Sequence, residues 1–443
     1  MGPQTAELTD LLQQMIRNRC VNDGQPDSGN EQRNVDVLDD FLGGAGLDVE
    51  IYESAPGRAN LVARLEGSEP GAASLLYMGH TDVVPANEDQ WTHDPYAAEL
   101  IDGEIWGRGA IDMLNLTVAM AATMRRLAES GWKPKGTLVF MAVADEEAGG
   151  TYGAKFMADE HADVIKTDYC ITETGGLRLP GGDGERLIVA TAEKGTIDCR
   201  LKITGTPGHA SQPYKRDNAI VKAAQVVQRI DEYRPQLKLG EQWHDFIESM
   251  GWPDEASAPL LDPERVMQTI DAAPDSMSRA LQAACHTTFA PTILKGGDKL
   301  NVIPDTVELD IDIRTLPGDA PEAVRAMLDE ALGDLADSVE IIRFDAINAT
   351  ASPLKSELWE SVTRAVAKIE PGAKLAPYLS VGATDNRFIR PMDTVGYGFA
   401  LFSKKVGMDD FSARFHGNDE RIDVDSLDLT NRIYEQIARD LLE

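Results

Sequence analysis

Basic residues are scarce in this chain of 443 residues, which has 42 lysines and arginines against 74 aspartates and glutamates and a formal net charge of −32. Phosphate backbones and anionic lipid headgroups repel a chain with a large negative net charge, so neither nucleic acid nor a membrane surface is an expected partner. The sequence shows neither internal repeats nor a basic patch with interleaved aromatic residues. A solvated acidic surface is sufficient to explain the excess of acids.

Long apolar runs and closely spaced cysteines are also lacking. No apolar run approaches the ~20 residues of a membrane-spanning helix. The helical pattern from Ala6 to Arg17 contains acids and lacks a basic start followed by an apolar core, so it does not predict a signal peptide. The four cysteines are widely scattered without a CxxC motif, which is typical of reduced cytoplasmic proteins. We therefore expect a cytoplasmic protein.

The length and the order of the predicted elements indicate an α/β protein with two domains. A chain of 443 residues exceeds the ~250–300 residues at which single cores stop growing. Strands alternate with helices through about residue 195, which predicts a central mixed, mostly parallel sheet. We place this principal domain at residues 1–195 and 347–443, and an inserted domain at residues 196–346.

The inserted domain has the order β-α-β-β-α-β, which describes a ferredoxin-like α+β lid. The pattern predicts its strands near 198–204, 288–294, 302–314 and 339–344, and its helices near 219–230 and 321–332. Residues 236–285 form an extra excursion within the lid. A surface elaboration is a more economical interpretation of this segment than a specificity loop.

Two adjacent glutamates, Glu146 and Glu147, follow an apolar run that begins at Thr137 and reads as a buried strand. Two neighbouring carboxylates at a strand end repel one another unless a cation or a reaction needs them. Alone, such a pair more often belongs to a solvated face. Its position suggests a metal ligand beside a general base.

Similar residues follow other apolar runs. His80 ends one run, and Asp82, two residues later, could fix the second nitrogen of its imidazole ring. Glu173 follows another run, and His416 lies in a late loop. Open α/β sheets bind ligands outside the carboxyl ends of their strands, and catalytic zinc takes His and carboxylate ligands. Each residue alone could be structural, but together they suggest a metal site.

Asp112 has two interpretations. It lies in a glycine-rich turn at the start of an apolar helix pattern that runs through Leu127, where an aspartate is a good N-cap. The alternative is that it is a metal ligand. Taken alone, the N-cap is the favoured interpretation.

Eight ordered blocks make the sequence similar to a known family over nearly its whole length. It resembles the co-catalytic zinc peptidases and deacylases that include acetylornithine deacetylase, succinyl-diaminopimelate desuccinylase, glutamate carboxypeptidase and the aminoacylases. The blocks are GHTDVVPA (79–86), GRGAIDM (107–113), DEEAGG (145–150), TGTPGHAS (204–211), NVIPD (301–305), DIDIR (310–314), GATDNRF (382–388) and HGNDERI (416–422).

The resemblance implies two zinc ions per subunit. One would be bound by His80, Asp112 and Glu173, and the other by Asp112, Glu147 and His416. Asp112 would then bridge the metals, and in the family the peptide bond after this aspartate is typically cis. Cobalt or manganese can also occupy sites of this kind.

The resemblance also implies catalytic roles. Glu146 would be the general base for a water between the metals, which attacks an amide carbonyl. Asp82 would orient His80. His209 resembles the histidine that stabilises the oxyanion from the partner subunit of a dimer, so the resemblance implies a homodimer through the lid.

Asn301 and Arg314 would hold the substrate, because the family uses these block positions for the substrate backbone and carboxylate. The planar fork of an arginine can bind a carboxylate with two hydrogen bonds. Arg314 could instead form only a salt bridge to a neighbour on its strand. If the lid closes over the metals, its hinges should lie near Gly195 and residues 345–350.

One departure from the family pattern is the pair Leu114-Asn115, where Lys-Gly is common. Neither position is a ligand, so the metal site should survive, but the pair could mark a subfamily with its own substrate. Glu173, where some peptidases have aspartate, favours acyl-amino-acid or C-terminal substrates.

The sequence therefore predicts a metal-dependent hydrolase that cleaves the amide bond of an N-acyl-amino acid or a short peptide. A carboxypeptidase or dipeptidase of the same family is an alternative. So is a catalytically silent relative that binds an amino-acid-like ligand. Retention of Glu146 favours an enzyme, because a pure binder would not need the base.

Overall fold

A computed structural model describes residues 2–443. Its strands are β1 (Asp48–Ala55), β2 (Arg58–Leu65), β3 (Ser74–His80), β4 (Glu99–Ile101), β5 (Glu104–Trp106), β6 (Thr137–Val143), β7 (Tyr169–Thr172), β8 (Gly175–Gly181), β9 (Gly184–Glu193), β10 (Gly195–Thr204), β11 (Gly208–His209), β12 (Thr288–Gly296), β13 (Val302–Ile303), β14 (Thr306–Thr315), β15 (Val339–Ile347), β16 (Thr350–Ala351), β17 (Lys374–Ser380), β18 (Val395–Gly398) and β19 (Arg421–Asp423).

The helices are α1 (Pro3–Arg17), α2 (Gln32–Leu42), α3 (Leu114–Glu129), α4 (Ala154–Glu160), α5 (Ala162–Ile165), α6 (Ala219–Glu232), α7 (Glu241–Ser249), α8 (Asp254–Leu261), α9 (Val266–Asp271), α10 (Asp275–Cys285), α11 (Pro321–Leu332), α12 (Glu357–Ile369), α13 (Asn386–Ile389), α14 (Met408–Arg414) and α15 (Val424–Leu442). Within residues 2–443, none of these helices combines the length and the apolarity that a membrane crossing requires.

The largest sheet has ten strands and is mixed. Its main path runs β1-β2-β6-β3-β7-β18-β9-β16, and β8 and β17 also pair with β9. The central strands β6, β3, β7 and β18 are parallel, so their carboxyl ends lie at one edge of the sheet. This arrangement confirms the predicted fold class and sets the position of the site.

Strand β6 shows why the centre of this sheet is apolar on both faces. Leu138 and Phe140 point into a core formed with α1, α3 and α15, whereas Val139 and Met141 point into a second core formed with α4 and α13. Successive side chains of a strand alternate between its faces, so a strand covered on both sides reads as a continuous apolar run. The sequence from Thr137 to Val143 has this pattern.

The lid has a four-stranded antiparallel sheet of order β12-β14-β10-β15. Together with α6 and α11 it follows the β-α-β-β-α-β order that the sequence predicts. Its core includes Ile197, Leu201, Leu309 and Ile313.

The prediction of one continuous strand over residues 302–314 is wrong, because the structure has two separate strands there. Val302–Ile303 pairs separately with β11, and β14 begins only at Thr306. Pro304 lies between the two, and proline has no N–H group to donate to a strand ladder.

Helices α7 to α10 form a helical insertion with its own small core, which includes Trp243, Ile247 and Val266. The insertion contacts strand β17 of the ten-stranded sheet. It also receives a 2.6 Å hydrogen bond from Arg186 Nε of β9 to the Ser249 carbonyl. These residues, within the predicted excursion at 236–285, therefore pack against the principal domain.

A candidate metal centre at the strand ends

Three neighbouring parallel strands bring the predicted ligands to one edge of the sheet. β3 ends at His80 and lies between β6 and β7. Glu146 and Glu147 follow β6 after two residues, and Glu173 directly follows β7. Strand order, rather than distance along the chain, thus places these side chains together.

The glutamate pair lies in a tight turn held by Asp82. Glu146 to Ala148 form a single 3-10 turn, preceded by Asp145 with a left-handed backbone at φ 70°. The Asp82 carboxylate accepts hydrogen bonds from the backbone N–H groups of Glu146 and Glu147, both at 3.2 Å. Asp82 also accepts a 2.9 Å hydrogen bond from Asn22 Nδ2. The buried aspartate therefore fixes the turn on which both glutamates lie.

Asp82 lies beside His80 as well. His80 Nδ1 is 3.0 Å from the Asp82 backbone carbonyl and 3.5 Å from its carboxylate Oδ1. The carbonyl is thus the nearer partner of the ring nitrogen. A hydrogen bond donated by Nδ1 to this carbonyl leaves Nε2, the other ring nitrogen, to face Asp112.

Asp112 joins the two sides of the site, and the N-cap interpretation is wrong. Helix α3 begins at Leu114, and its N-cap residue is Met113. The Asp112 Oδ1 atom lies 3.2 Å from His80 Nε2, and its Oδ2 atom lies 2.8 Å from His416 Nε2. The Asp112-Met113 peptide bond is cis, as the family resemblance implies.

Two groups of three side chains have the spacing of metal ligands. One comprises His80, Asp112 and Glu173, and the other comprises Asp112, Glu147 and His416, with the ligand atoms of each group within 4.8 Å of one another. The first group is wholly buried. In the second, 47% of the His416 side chain is exposed, so the site opens to solvent on that side.

Burial disfavours the charged form of most carboxyl groups of the site. Desolvation, reinforced by neighbouring carboxylates, raises the pKa of Glu146 to about 7 and that of Glu147 to about 8. Desolvation and the charge of Asp112 also raise the pKa of Glu173 well above its ordinary value. Hydrogen bonds to Asp112 and Glu147 raise the pKa of His416 to about 10.

The residues fit a pair of divalent cations. Several carboxylates converge in a buried space, and Glu147 Oε1 is buried without a hydrogen-bond partner among the described residues. Cations supply the charge that the buried carboxylates lack, and imidazole and carboxylate are ligands that zinc accepts. Asp112 has one oxygen directed to each group, as a bridging ligand requires.

Comparisons with known proteins agree with this geometry. The model for the family described as peptidase family M20/M25/M40 matches residues 76–440. The chain belongs to this family. Family membership confirms the resemblance to zinc peptidases and deacylases, and makes the chain a metal-dependent amide hydrolase.

Individual relatives span this M20 protein almost completely or in large part. It is 27% identical to human aminoacylase-1 over 434 residues, which covers 97% of this chain and 94% of the relative. It is 29% identical to a probable carboxypeptidase S-like 2 of Dictyostelium discoideum over 380 residues, covering 82% of this chain and 71% of the relative. The structure of an M20 family metallo-carboxypeptidase from Sulfolobus solfataricus shares its fold, with a TM-score of 0.75 at 16% identity and coverage of 100% and 99%.

Three predicted site residues of this M20 protein lie on the lid. His209 and Asn301 are close together, because β11 pairs with β13 and Ala210 donates a 3.1 Å hydrogen bond to the Asn301 carbonyl. The His209 ring contacts Ser211 within its own loop. Arg314 donates two hydrogen bonds to Asp312, at 2.6 and 2.9 Å, which is the neighbour salt bridge that the sequence left open. The other seven predicted residues converge at the strand ends.

Sequence reasoning missed Asp385 and Arg387, which lie close to Glu146. Arg387 Nη2 is 3.8 Å from Glu146 Oε1, and both carboxylate oxygens of Asp385 are buried without a hydrogen-bond partner among the described residues. The charge of Arg387 opposes the burial that raises the Glu146 pKa. Their membership in the block GATDNRF was the signal that could have identified them.

A buried ionic network beneath the glutamate turn was also missed. Arg58 pairs with Glu31 at 2.8 Å and with Asp145 at 2.6 Å. Asp145 also accepts hydrogen bonds from Asn22 and from the backbone of Tyr152. The network holds Asp145 in the conformation that starts the glutamate turn. Asp145 belongs to the block DEEAGG, whereas no pattern singled out Arg58.

Proposed function

We propose that this M20 protein hydrolyses the amide bond of N-acyl-amino acids, with two zinc ions held by the five ligand residues. The observation that carries the proposal is Asp112, which faces both histidines while Glu146 lies beside the shared centre. Two divalent cations in this position would lower the pKa of a water held between them.

Glu146 has the environment of a general base. Its side chain is largely buried, and in the metal-free protein desolvation raises its pKa to about 7; divalent cations beside it would lower this pKa and favour the carboxylate form that accepts a proton. A general base works best when its pKa lies near the operating pH. Glu146 would accept the proton of the attacking water and then return it to the leaving amine nitrogen.

The amino-acid part of the substrate supplies the anion in this proposal. Three carboxylate ligands against two divalent cations leave the centre with one net positive charge, which attracts a carboxylate at short range despite the acidic chain. Human aminoacylase-1, matched over 94% of its length, supports the deacylase. The carboxypeptidase S-like relative favours carboxypeptidase activity as the second candidate. Both candidate activities cleave an amide bond, and both would use Glu146 as the base.

We further propose a homodimer in which the lid supplies His209 and Asn301 to the site of the partner subunit. Exposed apolar side chains lie in the segments that carry these two residues, on helix α6 and on the edge strand β12 of the lid. They are Tyr214, Ile220, Val221, Ile293, Leu294, Leu300 and Val302. An unpaired strand edge beside apolar side chains favours association with another copy. A second copy is the occupant we propose because His209 and Asn301 lie on this surface.

A cytoplasmic location is part of the same proposal. The four cysteines are free and buried, as expected in a reducing compartment. Burial raises the pKa of Cys20 and Cys285 to about 12, so both stay in the thiol form.

The experiment that tests the function measures bound zinc and then hydrolysis of a panel of N-acyl-amino acids and dipeptides. Wild type should bind two zinc ions and hydrolyse members of the first group faster than dipeptides. A preference for dipeptides would select the second candidate. A protein that holds two zinc ions but hydrolyses nothing in the panel would be a silent binder, and the proposal would fail.

A further inference from the structure

A buried ion pair connects the loop of Asp112 to the loop of His416. The Glu420 side chain is fully buried, and its Oε2 atom lies 2.6 Å from Arg108 Nη1. Its Oε1 atom accepts hydrogen bonds from the backbone N–H groups of Ile111, at 2.8 Å, and Asp112, at 3.2 Å. One carboxylate therefore holds the backbone at the shared ligand.

Arg108 extends the connection to the other loop. Its Nη2 atom donates to the Gly417 carbonyl at 2.9 Å and lies 3.4 Å from the His416 carbonyl. The guanidinium group also lies over the Trp91 ring, at 5.3 Å from the ring centroid. The pair thus crosses between two loops, because Arg108 precedes Asp112 and Glu420 follows His416.

The strands beneath these loops bring the pair together. β5 and β19 are antiparallel, with Trp106 opposite Arg421, and Gly107 N donates a 2.9 Å hydrogen bond to the Glu420 carbonyl. Beyond this ladder, His416 has a left-handed backbone at φ 56°. The position of the His416 loop therefore depends on side-chain contacts, whereas His80 is held directly in the sheet.

We propose that the pair Arg108–Glu420 is a positioning unit that sets the separation of Asp112 and His416 and so determines metal affinity at the group Asp112, Glu147 and His416. Neither residue is a ligand. The inference rests on the two-metal centre of the proposed function. The group that contains His80 should depend less on the pair, because Thr117 Oγ1 fixes the His80 carbonyl at 2.8 Å.

The double variant Arg108→Met/Glu420→Leu separates positioning from stability. Replacement of both members of a buried ion pair by apolar residues is often neutral for folding, whereas loss of one member leaves an unpaired buried charge. The metal-free variant is checked by circular dichroism and thermal unfolding, and then titrated with Zn²⁺ by calorimetry and with Co²⁺ by visible absorption. We expect two sites in wild type, and in the variant one site weakened roughly 10–100-fold.

A second variant covers the case in which the double variant does not fold. Glu420→Gln keeps the side-chain volume and one oxygen acceptor for the backbone of Ile111 and Asp112, but removes the charge that holds Arg108. It should weaken the same site. The matched control is Arg390→Met/Glu193→Leu, a buried pair at 2.6 Å that contacts neither ligand loop. This control should bind both metals as wild type does.

The outcomes separate the two proposals. Wild type that binds fewer than two metal ions contradicts the proposed function. Wild type with two sites, together with a folded Glu420 variant of unchanged affinity at both, contradicts the positioning role alone. An equal loss of metal affinity in the control Arg390→Met/Glu193→Leu would show that removal of any buried ion pair lowers the affinity. The contact between Arg108 and Glu420 would then have no specific role.

Discussion

Glu146 and Glu147 are consecutive residues with different surroundings. Glu147 Oε2 lies 3.2 Å from His416 Nε2, whereas Glu146 faces Arg387. We expect Glu147→Ala to lose one metal ion. We expect Glu146→Ala to keep both metals and to lose about 10²–10⁴-fold in kcat, the range that a general base supplies. Metal analysis and steady-state kinetics on the same preparations check both results.

The exposed Glu160 of α4 provides the matched control for these variants. Glu160→Ala should change neither metal content nor kcat. Loss of metal from Glu146→Ala would make Glu146 a ligand rather than the base.

Arg314 must exchange partners if it binds a substrate carboxylate. Its fork is engaged by Asp312, with 33% of the Arg314 side chain exposed. We expect Arg314→Ala to raise KM far more for substrates with a free α-carboxylate than for amide-capped analogues, because only the former use the bidentate contact. KM values for matched pairs of substrates test this. Equal effects on both would leave Arg314 as the partner of Asp312 alone.

Strand β12 and the loop after it form the element on which the proposed dimer depends. Leu300 is fully exposed, and Ile293 is about half exposed. A glutamate at either position would place a charge in an apolar interface, so we expect Ile293→Glu/Leu300→Glu to shift the protein from dimer to monomer. Light scattering after gel filtration measures the mass.

The control for this element is Ile51→Glu on β1, the edge strand of the ten-stranded sheet, where Ile51 is similarly exposed. It should not change the mass. A wild-type protein that is monomeric at every concentration would rule out the dimer.

At the scale of the whole molecule, His209 can be assigned to its own or the partner's site by mixing inactive variants. Glu146→Ala and His209→Ala subunits are mixed after dissociation and reassociation. If His209 acts on the partner, each mixed dimer has one intact site, and random pairing restores about a quarter of wild-type activity. Activity that stays at the level of the separate variants would place His209 in its own subunit's site or outside catalysis.

Metal binding should also determine how the stability of the whole molecule depends on pH. The raised pKa values of Glu146, about 7, and Glu147, about 8, favour the protonated carboxyl groups in the metal-free fold. Their stabilising contribution is present at low pH and is lost as the pH rises from 4.5 through these values. His416, with its pKa raised to about 10, loses its contribution as the pH rises from 6.5 through 10.

All three shifts act in the same direction, so the Tm of the metal-free protein should fall between about pH 5 and pH 9. Metal binding needs deprotonated ligands, so the increase in Tm on adding Zn²⁺ should grow over the same range. Thermal unfolding with and without metal measures both trends. A metal-free Tm that rises with pH would contradict this account of the buried carboxylates.

Much of the fold could be predicted because local pattern and tertiary structure agree. The continuous apolar run of β6 required a strand buried on both faces, and the helix Pro321–Leu332 has the predicted bounds. The failures were local too. Pro304 divides the predicted strand 302–314, and helix α3 begins at Leu114, two residues after the aspartate.

The ligand residues could be identified from the sequence, but the residues that hold them in position could not. His80 ends a recognisable strand and Glu147 follows another, whereas no pattern distinguishes Arg58 and Glu31 from surface ions. Their pairing depends on contacts between residues far apart in the chain. The position of the helical insertion against β17 has the same origin, since no periodicity records which surface a helix will cover.

The alternation of strands and helices, the polar residues at the strand ends and the eight ordered blocks could all be recognised before any contact was known. Periodicity and local residue chemistry are sufficient for these features. Three contacts became known from the folded chain: Asp112 faces two histidines, Asp82 holds the glutamate turn, and Arg314 pairs with Asp312. Such contacts depend on distances between side chains, and packing sets those distances.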